Sequence, residues 1–295
     1  MSLFLALLLD ALLGEPPARF HPVVLMGRYL AWAWPRVRDL ASGAFYWALG
    51  ALLFTFPALL LDLFLRPLAW GWLLLGLLLK PLFSLRMLLW EVKEVEVALA
   101  QDLEEARKRL ARIASRPTGD LSEEEVREAA LESLSENLSD SLVAPLLYYA
   151  FFGLAGAALY RYANTADAMW GYPEHGARGA VAARIDDLLN LLPARFTGLL
   201  LLTQIPLPWG QSGLFSFRLW PRLWREARKT PSPNAGFPMA ALALRLGVRL
   251  SKRGVYALNE NAPSPTPKAT REALRLSALL GYGLGLLMAL FTWVR

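Results

Sequence analysis

The sequence predicts an all-α fold: a polytopic integral membrane helical bundle with an extramembrane helical hairpin and an interfacial amphipathic helix. Three observations carry this prediction. Of the 295 residues, 55% are hydrophobic and the mean hydropathy is +0.34, too apolar for a soluble domain of this length. The apolar residues come in blocks at 43–65, 70–89, 142–160, 188–205 and 274–294. Each block is near the ~20 residues that cross a bilayer as a helix. No segment alternates like a barrel strand, so the backbone polar groups must be satisfied inside helices. About five crossing helices at ~20 residues each follow, in a single domain over residues 1–295.

The elements follow in order. The stretch 3–13 is apolar but short, carries Asp10, and lacks the basic start and small-residue cleavage site of a signal peptide. After the first two blocks, the connection 91–140 carries 14 acidic and 7 basic residues. Apolar residues at Val92, Val95, Leu99, Leu103, Ala106, Leu110 and Ile113 recur in steps of three and four, which predicts one long helix. Arg116-Pro117-Thr118-Gly119 ends it, and Ser122 with Glu125 predicts a capping box opening a second helix. The connection 207–273 is basic, with 11 basic against 3 acidic residues, which places it on the cytoplasmic side. Within it Phe217, Trp220, Leu223, Trp224 and Ala227 share one helical face, and Arg218, Arg222, Arg225 and Arg228 lie mostly around the other. That pattern suits a helix lying on an anionic membrane surface.

The absence of cysteine excludes disulfides, thiolate metal sites and cysteine nucleophiles. There is no P-loop and no dinucleotide glycine motif after a strand, and no nucleic-acid partner is expected. Polar groups at the ends of the apolar blocks are the informative residues, because such positions are costly and tend to be functional. Asn137 precedes Asp140 by three, Asn164 precedes Asp167 by three, and Asp187 precedes Asn190 by three; Glu136 adds a carboxylate one turn before Asp140, and Asp186 sits beside Asp187. Three-residue spacing puts amide and carboxylate on one helical face. One such pair is ordinary capping; three pairs in a chain with six Asn point to a site. Clustered hard oxygen ligands suit Mg²⁺ carrying nucleotide phosphates, with Asp140, Asp167, Asp186 and Asp187 as candidate ligands. Arg161, Arg184 and Arg195 are candidate clamps for phosphate or carboxylate oxygens. His21 sits in a proline-rich turn, where a backbone hydrogen bond is the bland reading and a ligand role the sharper one.

Gly14-Glu15-Pro16 with His21-Pro22 and Gly27-Arg28 resembles the start of the adenosylcobinamide-phosphate synthase family, membrane enzymes of cobalamin biosynthesis. Four further segments resemble it in the same order: Glu132-Ser133 with Glu136 to Asp140 and Ala144-Pro145-Leu146; Asn164 to Tyr172; Ala183 to Asn190 with Pro193-Ala194-Arg195; and Ser232 to Pro238. The likeness runs from residue 9 to about 256, and departs from the family pattern at Pro117, Ser141, Ala168 and Met239. The resemblance implies ATP-dependent joining of a propionate carboxylate of adenosylcobyric acid to the amine of (R)-1-amino-2-propanol O-phosphate. ATP and Mg²⁺ are the implied cofactors. The implied partners are the corrinoid and aminopropanol phosphate substrates, the lipid bilayer and other late cobalamin-pathway membrane enzymes. The site would face the cytoplasm from the cell's inner membrane. Metal or nucleotide handling then falls to Glu136, Asp140, Asp167, Asp186 and Asp187, and substrate orientation to Asn137, Asn164, Asn190 and Asn234. Arg28, Arg161, Arg184 and Arg195, with His21, would hold phosphate or carboxylate. The rival classes are a transporter, a non-catalytic membrane sensor of the same superfamily, and a transferase acting on a lipid diphosphate.

A topological conflict sharpens the expectation. If 142–160 and 188–205 both cross fully, Asn164, Asp167 and Asp187 lie outside while Asp140 lies inside, and one ATP site cannot be split across a bilayer. Pro145, Gly153 and Gly156 make 142–160 the weakest spanning helix, so we expect it to be broken or re-entrant, with the motifs converging on one wet polar cavity.

Overall fold

The computed structural model describes residues 1–202 and 219–294. Its helices are α1 (Ser2–Leu13), α2 (Pro22–Ala33), α3 (Leu40–Leu65), α4 (Gly71–Leu79), α5 (Arg86–Leu99), α6 (Leu103–Leu110), α7 (Glu123–Leu138), α8 (Ala144–Trp170), α9 (Ala180–Leu202), α10 (Trp220–Ala227), α11 (Gly236–Leu246) and α12 (Pro267–Val294). A two-stranded antiparallel ribbon, β1 (Leu250–Lys252) against β2 (Tyr256–Leu258), pairs Leu250 with Leu258 and turns at Gly254. The chain divides into two units. The first comprises Met1–Leu85, Asp140–Asn190 and Tyr282–Arg295; the second comprises Arg86–Ser139 and Leu191–Gly281.

Among the described residues four helical stretches are long and apolar enough to cross a membrane: Leu40–Leu65, Gly71–Leu99, Glu123–Trp170 and Pro267–Trp293. The protein is a multi-pass helical membrane protein, with four such stretches where the sequence suggested five. The fifth block falls in α9. Each 18-residue window of its described part contains Asp186, Asp187 and Arg195, while 203–205 lies outside the described residues. On α3, Phe45, Leu52, Leu53, Phe56, Leu60, Leu63 and Phe64 are all exposed. A soluble protein would bury such a set; here lipid covers it.

Two of the four stretches are not straight helices. The first discontinuity follows α4, where Lys80-Pro81-Leu82 form a single 3₁₀ turn, Phe83 is extended, and α5 begins only at Arg86. Pro81 supplies no N–H and cannot carry an α-helix through. The second lies inside α8, where Gly153 adopts φ 65°, ψ −158°. On a straight helix Tyr148 and Tyr160 would stand about 18 Å apart along the axis. Instead their rings stack at 5.2 Å with planes 15° apart. The chain therefore turns back on itself at Gly153, and Gly156 lets the two arms meet, since a Cβ there would strike Phe152 and the Tyr148 carbonyl. The break expected in 142–160 from Pro145, Gly153 and Gly156 is therefore present at Gly153.

In the second unit, the long helix expected from Val92 to Ile113 is two helices. Asp102 interrupts it by accepting from the Glu104 N–H, capping α6 at the cost of continuing α5. The capping box of Ser122 and Glu125 is present at the start of α7. The amphipathic segment forms α10, whose Leu223 and Ala227 are buried and whose Trp224 meets Phe237 of α11 edge-on at 4.8 Å. Phe217 and Arg218, the start of that face, lie outside the described residues.

Candidate functional site

In the first unit, the second arm of α8 and the start of α9 are joined by polar side chains. The Tyr160 hydroxyl donates to Asn190 Oδ1 at 2.8 Å, and Asn190 Nδ2 donates to Asp186 Oδ2 at 3.0 Å. Asn164 Nδ2 reaches the other oxygen of Asp186 at 3.5 Å and accepts from Arg161 at 3.3 Å. Tyr148, stacked on Tyr160, donates to the Leu189 carbonyl at 3.0 Å. Asn190 and Asp186 are almost fully buried, so this chain of amide, carboxylate and phenol is a fixed network rather than a solvated surface.

The hydrogen bonds of these amides do not follow the three-residue spacing. Asn190 bonds Asp186, four residues back, rather than Asp187. Asn164 reaches across to α9, and Asn137 donates to its own helix at Ser133 O. Of the three amides only Asn164 donates from one helix to another, whereas Asn137 and Asn190 donate within their own helices.

A second polar cluster gathers where α1, the Gly14–Pro22 turn and the break after α4 come together. Lys80 Nζ lies 3.0 Å from Asp10 Oδ1 and 2.8 Å from Glu15 Oε1. His21 accepts at Nδ1 from the Val23 N–H, capping α2, which leaves the proton on Nε2 to be donated to Glu15 at 3.1 Å. Burial alone would push Glu15 up, but the bonds from His21 and Lys80 and the charge of Lys80 outweigh it and bring its pKa down to about 2. The Leu85 N–H donates to Asp10, and the Ser84 N–H donates to the Ser141 carbonyl at 2.8 Å. That last bond ties the break to the π-helical turn Ser139–Val143, which carries Asp140.

The two clusters share one centre. Arg161 lies within the field of both Glu15 and Asp140, and Tyr160 within that of Asp140 and Asp186. The guanidinium of Arg161 spends one N–H on Asn164, while its Nε is buried with no hydrogen-bond partner. A buried guanidinium N–H left unspent carries a desolvation cost of ~1–3 kcal/mol or more, and an arriving anion removes it. Asp167, Asp186 and Asp187 are near enough to repel one another.

Among the described residues no group of three His, Cys, Asp or Glu side chains is arranged to hold a metal ion. Magnesium rarely needs such a cage, because one or two carboxylates and the phosphates it carries complete its shell. The mutually repelling acids of α8 and α9 fit that kind of donor set.

In the second unit, Arg195 donates to Asn234 Oδ1 at 2.8 Å and lies over the Phe237 ring at 4.3 Å, so two of the expected residues meet there. Glu136 stands in the field of Arg116 and Tyr256. Arg28 and Arg184 are exposed on α2 and α9 and take no part in the networks above. Lys80, Glu15, Asp10, Tyr148 and Tyr160 had no assigned role in the sequence reading. A signal existed for Lys80, the one charged residue between Trp70 and Phe83, followed directly by proline.

A family model described as CobD/Cbib protein matches residues 3–278. The chain is 42% identical over 284 residues to the probable cobalamin biosynthesis protein CobD of Methanothermobacter thermautotrophicus, covering 94% of this chain and 92% of that protein. It is 40% identical over 291 residues to the protein of that name from Thermococcus kodakarensis, covering 95% and 91%. The counterpart from Methanocaldococcus jannaschii is 36% identical over 272 residues, covering 87% of each chain. No solved structure matches.

Proposed function

Because the chain belongs to the CobD/Cbib family of cobalamin biosynthesis, we propose that it is the ATP-dependent enzyme joining adenosylcobyric acid to (R)-1-amino-2-propanol O-phosphate. The observation that carries the reading furthest is half-buried Arg161, whose buried Nε is an unspent donor beside Asn164 of the Asn164–Asp186–Asn190 network and in the field of Glu15 and Asp140. A carboxylate is a poor acyl donor, so amide formation needs its oxygen converted to a leaving group. Attack of the propionate oxygen on the terminal phosphorus of ATP gives an acyl phosphate and ADP. The amine then attacks the acyl carbon, the carbon–oxygen bond breaks, and phosphate departs as the nitrogen loses a proton.

Mg²⁺, held with the phosphates by one or two of Asp140, Asp167, Asp186 and Asp187, would neutralise charge on the transferring group. Arg161 holds phosphate oxygens, and Lys80, anchored by Asp10 and Glu15, keeps the local charge balanced. Tyr160 fixes the orientation of Asn190, which leaves the amides aligned to position the carboxylate and amine. Arg195 and Asn234 hold a further phosphate or carboxylate, and the site faces the cytoplasm, where ATP is available.

Discontinuous helices also occur in transporters, but product formed in detergent, with no second compartment, belongs to an enzyme alone. The test is purified protein with both substrates, ATP and Mg²⁺, followed by mass analysis of the corrinoid. We expect ATP-dependent formation of the amide, and its absence would overturn the proposal. Arg161→Gln should lower kcat/KM by ~100-fold or more, as for loss of a donor to a transferring group, with the thermal midpoint largely kept.

A further inference from the structure

The tip of the re-entrant hairpin carries a second polar site that the reaction above does not use. Asp62, near the end of α3, is 95% buried, as its 5% exposure shows. One of its oxygens, Oδ2, accepts from Arg66 at 2.8 Å, whereas Oδ1 is buried with no hydrogen-bond partner. The Arg66 side chain is 61% exposed, so most of its five N–H donors face outward. The pair lies against Gly153, where a Cβ would collide with both side chains. It lines a cavity of about 560 Å³ with Ser2, Tyr149 and Trp72, and the Ser2 and Tyr149 hydroxyls are 2.6 Å apart. Asp62 is twelve residues along α3 from Gly50, which lies against Tyr162 beside the Arg161–Asn164 network. Twelve residues correspond to about 18 Å along the helix, so this is a separate site.

We propose that this site binds a zwitterionic phospholipid headgroup, with the primary ammonium of phosphatidylethanolamine on Asp62 Oδ1 and its phosphate on Arg66. The pair offers one buried acceptor and several outward donors within a few ångströms, which matches an ammonium and a phosphate linked by two carbons. An anionic lipid would satisfy Arg66 and leave Asp62 Oδ1 a buried acceptor with no donor, which costs ~1–3 kcal/mol. The surroundings choose a lipid over a soluble ester. Leu63, Phe151, Phe152 and Trp293 line the cavity and are exposed, an apolar and aromatic rim of the kind that sits at the membrane interface.

The test is native mass spectrometry of the delipidated full chain in detergent, titrated with phosphatidylethanolamine and phosphatidylglycerol of matched acyl chains. The wild type should prefer the ethanolamine lipid by ~5-fold or more, and Asp62→Asn should bring the ratio toward ~1. Arg66→Gln, at an exposed position, should weaken both lipids alike. Equal binding of the two lipids by the wild type overturns the proposal, as does an unchanged preference in Asp62→Asn. If Asp62→Asn does not fold, wild-type binding by Arg66→Gln overturns it instead. Free O-phosphoethanolamine should not displace the lipid at millimolar concentration; displacement would assign the site to a soluble ester and refute the lipid.

Discussion

Replacing Gly153 with valine should abolish activity and lower the yield of folded protein, because this residue turns the re-entrant hairpin. Its backbone, at φ 65° and ψ −158°, lies in a region open essentially to glycine alone, and forcing another residue there costs ~1–3 kcal/mol. The side chain adds a collision with the carboxylate of buried Asp62 and with the guanidinium that Arg66 sets against it. Opening the turn would part Tyr148 from Tyr160, and with it the contact that aligns Asn190 and Asp186. The control is Gly176→Ala. Gly176 also has a positive φ, 54°, but a Cβ there meets nothing within 4 Å. Strain without collision should leave activity within a few-fold of wild type. Measurement of thermal midpoint and turnover for both variants decides the matter; a Gly153→Val protein with the wild-type midpoint and rate would show that the reversal is not needed.

What could be read from the sequence depended on how local its cause was. The capping box of Ser122 and Glu125 and the apolar run of α3 are decided within a few residues, and both stand in the structure. The weak helix around Gly153 was legible in Pro145, Gly153 and Gly156, and the expectation that an ATP site could not straddle a bilayer sharpened that reading. The break at Asp102 was not legible, since the apolar stripe of α5 and α6 runs on in phase while one side-chain cap wins locally. The ribbon at Leu250–Leu258 is two three-residue strands, too short to show a period. For the site, the sequence marked Asn164, Asp186 and Asn190, whose side chains are costly near apolar blocks. The Asn190–Asp186 bond follows from a four-residue spacing on α9, but the reach of Asn164 to Asp186 depends on α8 lying beside α9, which no spacing along one helix encodes. Lys80, Asp10 and Glu15 come from three separate segments, so only the tertiary fold reveals that they neutralise one another.

Asp167→Asn should separate stability from function at the acid cluster. In metal-free protein Asp167, Asp186 and Asp187 repel one another, and both oxygens of Asp186 are already engaged by Asn164 and Asn190. Removing the charge of Asp167 relieves that repulsion without touching the amide network, so the thermal midpoint in EDTA should rise by a few degrees, about 1 kcal/mol for a chain of this size. Turnover should fall by ~100-fold or more, as for loss of a group that handles metal-bound phosphate. Mg²⁺ with ATP should raise the midpoint of the wild type, because a ligand that binds only the folded state stabilises it. The same addition should shift the variant much less. Asp186→Asn makes the contrast: it also removes a charge, but one that both amides hydrogen-bond, so its midpoint should not rise. Full activity of EDTA-treated wild type, or equal Mg²⁺-ATP shifts in wild type and Asp167→Asn, would remove the acids from any role in metal and phosphate handling.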